Sequence, residues 1–286
     1  MTHRKTSRRQ FVQLAGGLAL ALRHGLVPAQ TGTAAPHAQA RTAATLEDAA
    51  VRLEWDANLH TRVSRRAGRA WIPMTTWGPS EYLLRDDGRH LADFAIDHQT
   101  RTTVDDVNGP GTRLAMSGTS ADGVEKTVTA TLYQRHPGLA LVRVSYRNTT
   151  PQILSFVSWT NGDVRMPAAG TRNTAARGPA FWCYSGASYE DRRDWVQPVE
   201  PGFAQDNFLG MEASDYGGGT PIVDVWRRDG GLAVGHVETT PKRVSLPVEG
   251  QRGAVRVAVC GREKRALKPG QVFDTPETFV AVHDGD

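Results

Sequence analysis

Thr127-Val128-Thr129-Ala130-Thr131-Leu132-Tyr133-Gln134, then His136-Pro137-Gly138, then Leu139-Ala140-Leu141-Val142-Arg143-Val144-Ser145-Tyr146: two short runs and the turn between them carry the architecture of this chain. In the first run Val128, Ala130 and Leu132 alternate with Thr127, Thr129, Thr131 and Tyr133. That period of two is the signature of a strand with one face buried. The second run begins apolar on both faces (Leu139 to Val142), which predicts a central strand covered on both sides. The Pro-Gly turn between them favours an antiparallel pair.

Working outward, the same alternation recurs. Val51, Leu53 and Trp55 oppose Arg52, Glu54 and Asp56, and Phe94 and Ile96 alternate with polar neighbours. Ile153–Trp159, Ile222–Trp226, Leu232–Val237, Val244–Val248, Val255–Val259 and Phe279–Val282 continue it. Turn chemistry separates the runs at Asp86-Asp87-Gly88, Asn108-Gly109, Asp122-Gly123, Asn161-Gly162, Asp229-Gly230-Gly231 and Lys268-Pro269-Gly270. Helical periodicity is confined to one expected turn over Ala43–Ala50. About a dozen strands are too many for one flat sheet. The expected fold is all-β, a large antiparallel β-sandwich of two stacked sheets.

The chain has 286 residues, 22% charged and 39% hydrophobic, with 34 basic against 30 acidic side chains. The excess of positive charge lies in residues 1–40, which hold Arg4, Lys5, Arg8, Arg9 and Arg23 and no acid. The remainder carries no basic surplus, so a nucleic-acid partner loses its electrostatic support. No apolar run reaches the roughly 18 residues of a spanning helix, so no membrane span is expected.

Residues 1–40 read as an address. Thr6-Ser7-Arg8-Arg9-Gln10-Phe11-Val12 precedes an apolar segment, Leu14–Leu22, and Ala38-Gln39-Ala40 fits a cleavage site. The paired arginines resemble a twin-arginine export signal, which implies a periplasmic or extracellular protein that folds before export. Cys183 and Cys260 then meet no oxidant while folding and are expected as small buried hydrophobes. The expected organisation is a signal and linker over 1–40 and a β-sandwich domain over 41–286.

Met166–Gly219 breaks the strand rhythm and reads as a long loop rich in aromatics: Trp182, Tyr184, Tyr189, Trp195, Phe203, Phe208 and Tyr216. No G-x-S-x-G elbow, zinc spacing or dinucleotide fingerprint occurs, so no catalytic residue, metal or cofactor is assigned. His236 and Glu238 share a strand face, but a structural histidine is the simpler reading. Carbohydrate contact suits the remaining features better. Sugars pack C–H faces on aromatic rings and pair hydroxyls with carboxylates and amides. The candidates are Trp77, Trp182, Asp206, Asn207, Asp215 and Tyr216, with Gly217, Gly218 and Gly219 allowing close backbone approach. Glycoside hydrolysis needs two carboxyl groups roughly 5–10 Å apart. Glu190, Asp191, Asp194, Glu200, Asp206, Glu212, Asp215 and Asp224 supply acids, but spacing selects no pair.

Three further segments carry a family likeness. Asn207-Phe208-Leu209-Gly210-Met211 through Gly219, Leu232–Glu238, and Pro241-Lys242-Arg243-Val244-Ser245-Leu246-Pro247 resemble the N-terminal region of melibiase-type α-galactosidases. Pro276–Asp286 extends the likeness, which covers roughly residues 50–286. The resemblance implies a galactose-mutarotase-like supersandwich followed by a (β/α)8 barrel that carries both catalytic aspartates. Here the sequence stops where that barrel would begin, so those aspartates have no positions onto which they carry. The expected partners are a galactoside-like carbohydrate and a missing or separate catalytic barrel. Three readings stay open: the non-catalytic sandwich domain of an exported glycosidase, truncated and inactive alone; a free-standing periplasmic carbohydrate-binding protein; and a structural or inert gene remnant.

Overall fold

The structure, a computed structural model, describes residues 41–169, 179–186, 196–207, 220–239 and 244–285. In chain order the strands are β1 (Ala44–Glu47), β2 (Val51–Trp55), β3 (Thr61–Ala67), β4 (Ala70–Pro73), β5 (Tyr82–Arg85) and β6 (His90–Leu91). Then come β7 (Ala95–Asp106), β8 (Gly109–Thr119), β9 (Val124–Tyr133), β10 (Leu139–Asn148), β11 (Leu154–Pro167), β12 (Phe181–Tyr184) and β13 (Val196–Val199). The last are β14 (Ala204–Asn207), β15 (Ile222–Arg227), β16 (Gly230–His236), β17 (Val244–Gln251), β18 (Ala254–Leu267), β19 (Val272–Asp274) and β20 (Thr278–His283). No helix occurs among the described residues, and none there is long and apolar enough to cross a membrane.

The strands form three antiparallel sheets. The largest runs β13-β12-β15-β16-β20-β10-β9-β8-β7, with β19 also on β10. A six-stranded sheet runs β14-β17-β18-β11-β5-β6, and a four-stranded sheet runs β1-β2-β3-β4. The sandwich expected from alternation is present, but a third sheet helps to cover the largest one. Leu53 and Val63 of the small sheet and Val164 of β11 meet Val142 and Val280 of the large sheet around a cavity of about 20 Å³. All five belong to one continuous apolar core, where they contact buried groups from every sheet.

The inner face predicted for β9 is correct, but Thr131 and Tyr133, expected outward, are buried as well because the end of the strand is covered on both sides. Val128, Ala130 and Leu132 are buried while Thr127 and Thr129 face outward. β10 is central, with β9 on one side and β20 and β19 on the other, but its faces alternate: Ala140 and Val142 are buried while Leu139 and Leu141, expected fully covered, are half-buried. The turns work as read: Gly88, Gly109, Gly123 and Gly138 all take positive φ, where a side chain would be strained.

Three expectations fail. Ala43–Ala50 forms no helical turn: Ala44–Glu47 is β1, paired with β2, because Ala44 and Leu46 bury into the core. The Asp48 carboxylate accepts from the amides of Ala50 (2.7 Å) and Val51 (2.8 Å) and closes a hairpin instead. Asn161-Gly162 is not a turn between strands; it is an irregularity inside β11, where the register with β18 shifts between Asn161 and Val164. The stretch Met166–Gly219 is not loop throughout, since β12, β13 and β14 lie within it. Each is only four residues long, too short for local pattern to reveal.

Both cysteines are free, Cys183 fully buried in β12 and Cys260 half-buried in β18, on different sheets. Burial pushes both thiols up to about 11, so neither supplies thiolate at neutral pH.

Candidate functional site

The structure distributes the sequence candidates over three sheets. Trp77 follows β4 beside the small sheet, where Gly78 bridges to Thr61. The Arg62 guanidinium lies 4.7 Å from the Trp77 ring centre, and Glu54 clamps Arg62 with two bonds of 2.9 Å. One face of this indole is therefore already occupied. Asp206 lies on β14, at the edge of the six-stranded sheet, and accepts a hydrogen bond from the Ser245 hydroxyl. Asn207 ends the same strand, with its backbone opposite Leu246. Asp215, Tyr216, Gly217, Gly218 and Gly219 lie outside the described residues, as do Glu190, Asp191, Asp194 and Glu212. His236 is buried in β16, as a structural histidine would be.

Trp182 has the richest surroundings. It lies on β12 of the large sheet, with Phe181 and Cys183 turned into the core and Trp182 and Tyr184 turned outward. The strand register sets Trp182 opposite Trp226 and Tyr184 opposite Asp224. Directly opposed residues hold their Cβ atoms about 5 Å apart, so Trp182 and Trp226 stand side by side on adjacent strands. On β15 the core-facing residues are Val223 and Val225, which leaves Trp226 and Asp224 on the same outward face. Continuing across β16, Trp226 pairs with Gly231 and Gly231 with His283 of β20.

Glycine at 231 is a packing requirement. A Cβ there would overlap the His283 ring and crowd Trp226. Its absence lets the imidazole pass over β16 at Gly231 and reach Asp224, whose Oδ1 is 3.0 Å from His283 Nε2. Gly235 does the same for Phe279, whose ring would collide with a side chain at that position. The outward face thus carries Trp182, Trp226, Tyr184 and Phe279, all half-buried, around a bonded Asp–His pair. Nearby, Arg65 Nη1 donates to Asp284 at 2.8 Å.

The hydrogen bond from Asp224 raises His283 above its ordinary 6.5, against the opposing effect of burial. A group whose folded pKa is raised stabilises the fold fully below its unfolded value, and that stability is lost as pH rises through the folded value. NMR titration of the imidazole should show His283 titrating above 6.5 and falling in Asp224→Asn, with the alkaline loss of stability flattened. An unshifted His283 in the intact chain would contradict the pairing.

Two adjoining depressions of about 500 Å³ each meet at Asp274. One is lined by Trp159, Phe273, Arg262 and Arg265. The other lies on the outward face of β9 and β10 and is polar, with Thr127, Thr129, Ser145 and Arg143, the last held by Glu277 at 2.8 Å. Among the described residues no three His, Cys, Asp or Glu side chains gather as a metal site.

Comparison with known proteins agrees with this architecture. No protein-family model matches the chain. An A type blood α-D-galactosamine galactosaminidase of Flavonifractor plautii is 24% identical over 295 residues, covering 97% of this chain and 26% of its own length. The crystal structure of an α-galactosidase from Lactobacillus brevis superposes with a TM-score of 0.60 at 12% identity, covering 85% of this chain and 39% of that one. An α-galactosidase from Geobacillus stearothermophilus gives 0.56 at 14% identity, covering 85% and 40%. The chain spans about a quarter of the curated relative and about two fifths of the solved enzymes. It resembles one part of these glycosidases, an all-β sandwich.

Proposed function

We propose that this chain is the non-catalytic sandwich domain of an exported α-galactosidase-like glycoside hydrolase, with the bond-breaking carboxylates in a (β/α)8 barrel beyond it. The supporting observation is one of extent. Nearly the whole chain aligns with only 26% of a galactosaminidase, and its described residues are strands and connections without a barrel's alternating helices. Export follows from Arg8, Arg9 and the apolar segment behind them.

The test uses the full-length chain. Expressed as residues 1–286 it should accumulate in the periplasmic fraction, and Arg8→Lys with Arg9→Lys should retain it in the cytoplasm. Purified, it should release no aryl leaving group from α-galactosides or α-N-acetylgalactosaminides. Turnover abolished by substituting a single carboxylate would refute the non-catalytic reading. A second reading, an exported carbohydrate-binding protein, is favoured by one specific observation: the aromatic side chains gathered on the outward face of the large sheet.

A further inference from the structure

We propose that the outward face of the large sheet holds a single neutral pyranoside on the Trp182–Trp226 pair, with Asp224 and His283 at its edge to bond the ring hydroxyls. This rests on the carbohydrate-binding reading and commits it to one site. It excludes two of the sequence candidates from that site: Trp77, whose ring Arg62 covers, and Asp206, which lies on another sheet.

Three features of the face select the ligand. First, adjacent strands place two tryptophans side by side on one outward face, aromatic surface that a saccharide's C–H face fits and a fully polar solute does not. Second, the polar groups beside them are a carboxylate and an imidazole already joined at 3.0 Å. Asp224 keeps one oxygen to accept from a hydroxyl, and the joined pair is oriented before any ligand arrives, which lowers the ordering cost of binding. Third, the charged groups at the edge of the pair are matched, Asp224 with His283 and Arg65 with Asp284, while Arg228, exposed in the turn after β15, has no ion partner among the described residues. The paired charges at the edge of the indoles offer no net attraction to a phosphorylated or acidic sugar there, so the fitting occupant is uncharged.

The sequence builds this face deliberately. Gly231 admits the His283 ring over β16, and the strict alternation of β12 and β15 keeps Cys183, Val223 and Val225 in the core while the indoles stay outside. The aromatic side chains therefore come from strands of a rigid sheet, and their spacing is set by backbone pairing.

The experiment is calorimetric titration of the full-length chain with methyl α-D-galactopyranoside, methyl α-D-glucopyranoside and galacturonic acid, followed in parallel by tryptophan fluorescence. Saturable binding of a neutral glycoside is expected, with a dissociation constant on the order of 1 mM for so shallow a surface. Trp182→Ala and Trp226→Ala should each weaken it roughly tenfold or more. Trp182→Phe and Trp226→Phe should retain part of it, and Trp77→Ala should leave it unchanged. Circular dichroism and melting curves establish that each variant is folded. Binding that survives both alanine variants would overturn this site while sparing the carbohydrate-binding reading. Tighter binding of galacturonic acid would overturn the charge argument and the proposal with it. No binding of any probe would overturn both readings.

Discussion

Lys126→Met should cost this fold about 3–5 kcal/mol, although it replaces a charged core residue with an apolar one of similar length. Lys126 is fully buried on β9. Its ammonium donates to the Glu81 carbonyl at 3.0 Å, lies 4.0 Å from the Glu81 carboxylate and sits 4.5 Å from the Phe94 ring centre. Glu81 is itself almost wholly buried, with one oxygen bonded by Ser80 Oγ at 2.6 Å. Methionine would leave that carboxyl without its countercharge, and a lone buried charge is what makes breaking such a pair expensive. Adding Glu81→Leu should recover most of the loss, because two apolar groups need no partner.

The pH dependence gives an independent check. Burial pulls Lys126 down to about 8, against the attraction of Glu81. Between there and its ordinary 10.5 the unfolded chain binds more protons than the folded one, so this group makes stability rise with pH across that window. Glu81 is shifted upward by burial, so its own contribution falls as pH rises from 4.5 through the raised value. Denaturant titrations at neutral and alkaline pH should show the alkaline gain in the parent and its absence in Lys126→Met. Equal slopes in the two proteins would contradict the assignment.

Trp159→Ala is the second large effect expected, about 3–5 kcal/mol. Trp159 is 2% exposed on β11 and stands opposite Gly261 of β18. Its indole lies directly over that glycine, where a Cβ would overlap the ring. Gly261→Ala should therefore cost about 1–3 kcal/mol by overpacking, yet be nearly silent once Trp159 is alanine. A double-mutant cycle reads this as coupling of about 1 kcal/mol or more. Additive losses would mean that the indole does not depend on the missing side chain.

The outline of the fold was legible because a sheet's inside and outside alternate along each strand. Val128, Ala130 and Leu132 disclose their common face, and Asp122-Gly123 or Asp229-Gly230-Gly231 disclose hairpins, because both signals are local. The choice of neighbour is not local. The Thr278 hydroxyl bonds the Val142 carbonyl 136 residues away, and nothing within either segment specifies that partner. The same gap hid the aromatic face. Trp182 stood out in the sequence as a candidate aromatic, but its neighbours Trp226 and His283 come from strands whose register only the assembled sheet sets. Alanines at 43, 44, 49 and 50 suggested a helical turn because propensity is also local; burial of Ala44 and Leu46 against the core outweighs it. Trp77 read as free because its cover, Arg62, lies on another strand.

Strand β20 sits between β10 and β16, yet it follows both of them in chain order. Until residue 283 has emerged, the two halves of the large sheet share no seam, and β10 and β16 each present an open edge. Completion of the sheet therefore waits for a segment synthesised after both of its halves. It closes the longest loops last, a topology that folds slowly and leaves half-sheets exposed to mispairing in the meantime. Ending synthesis even a few residues before Thr278 would release two unzipped half-sheets, the kind of nascent species that chaperones retain.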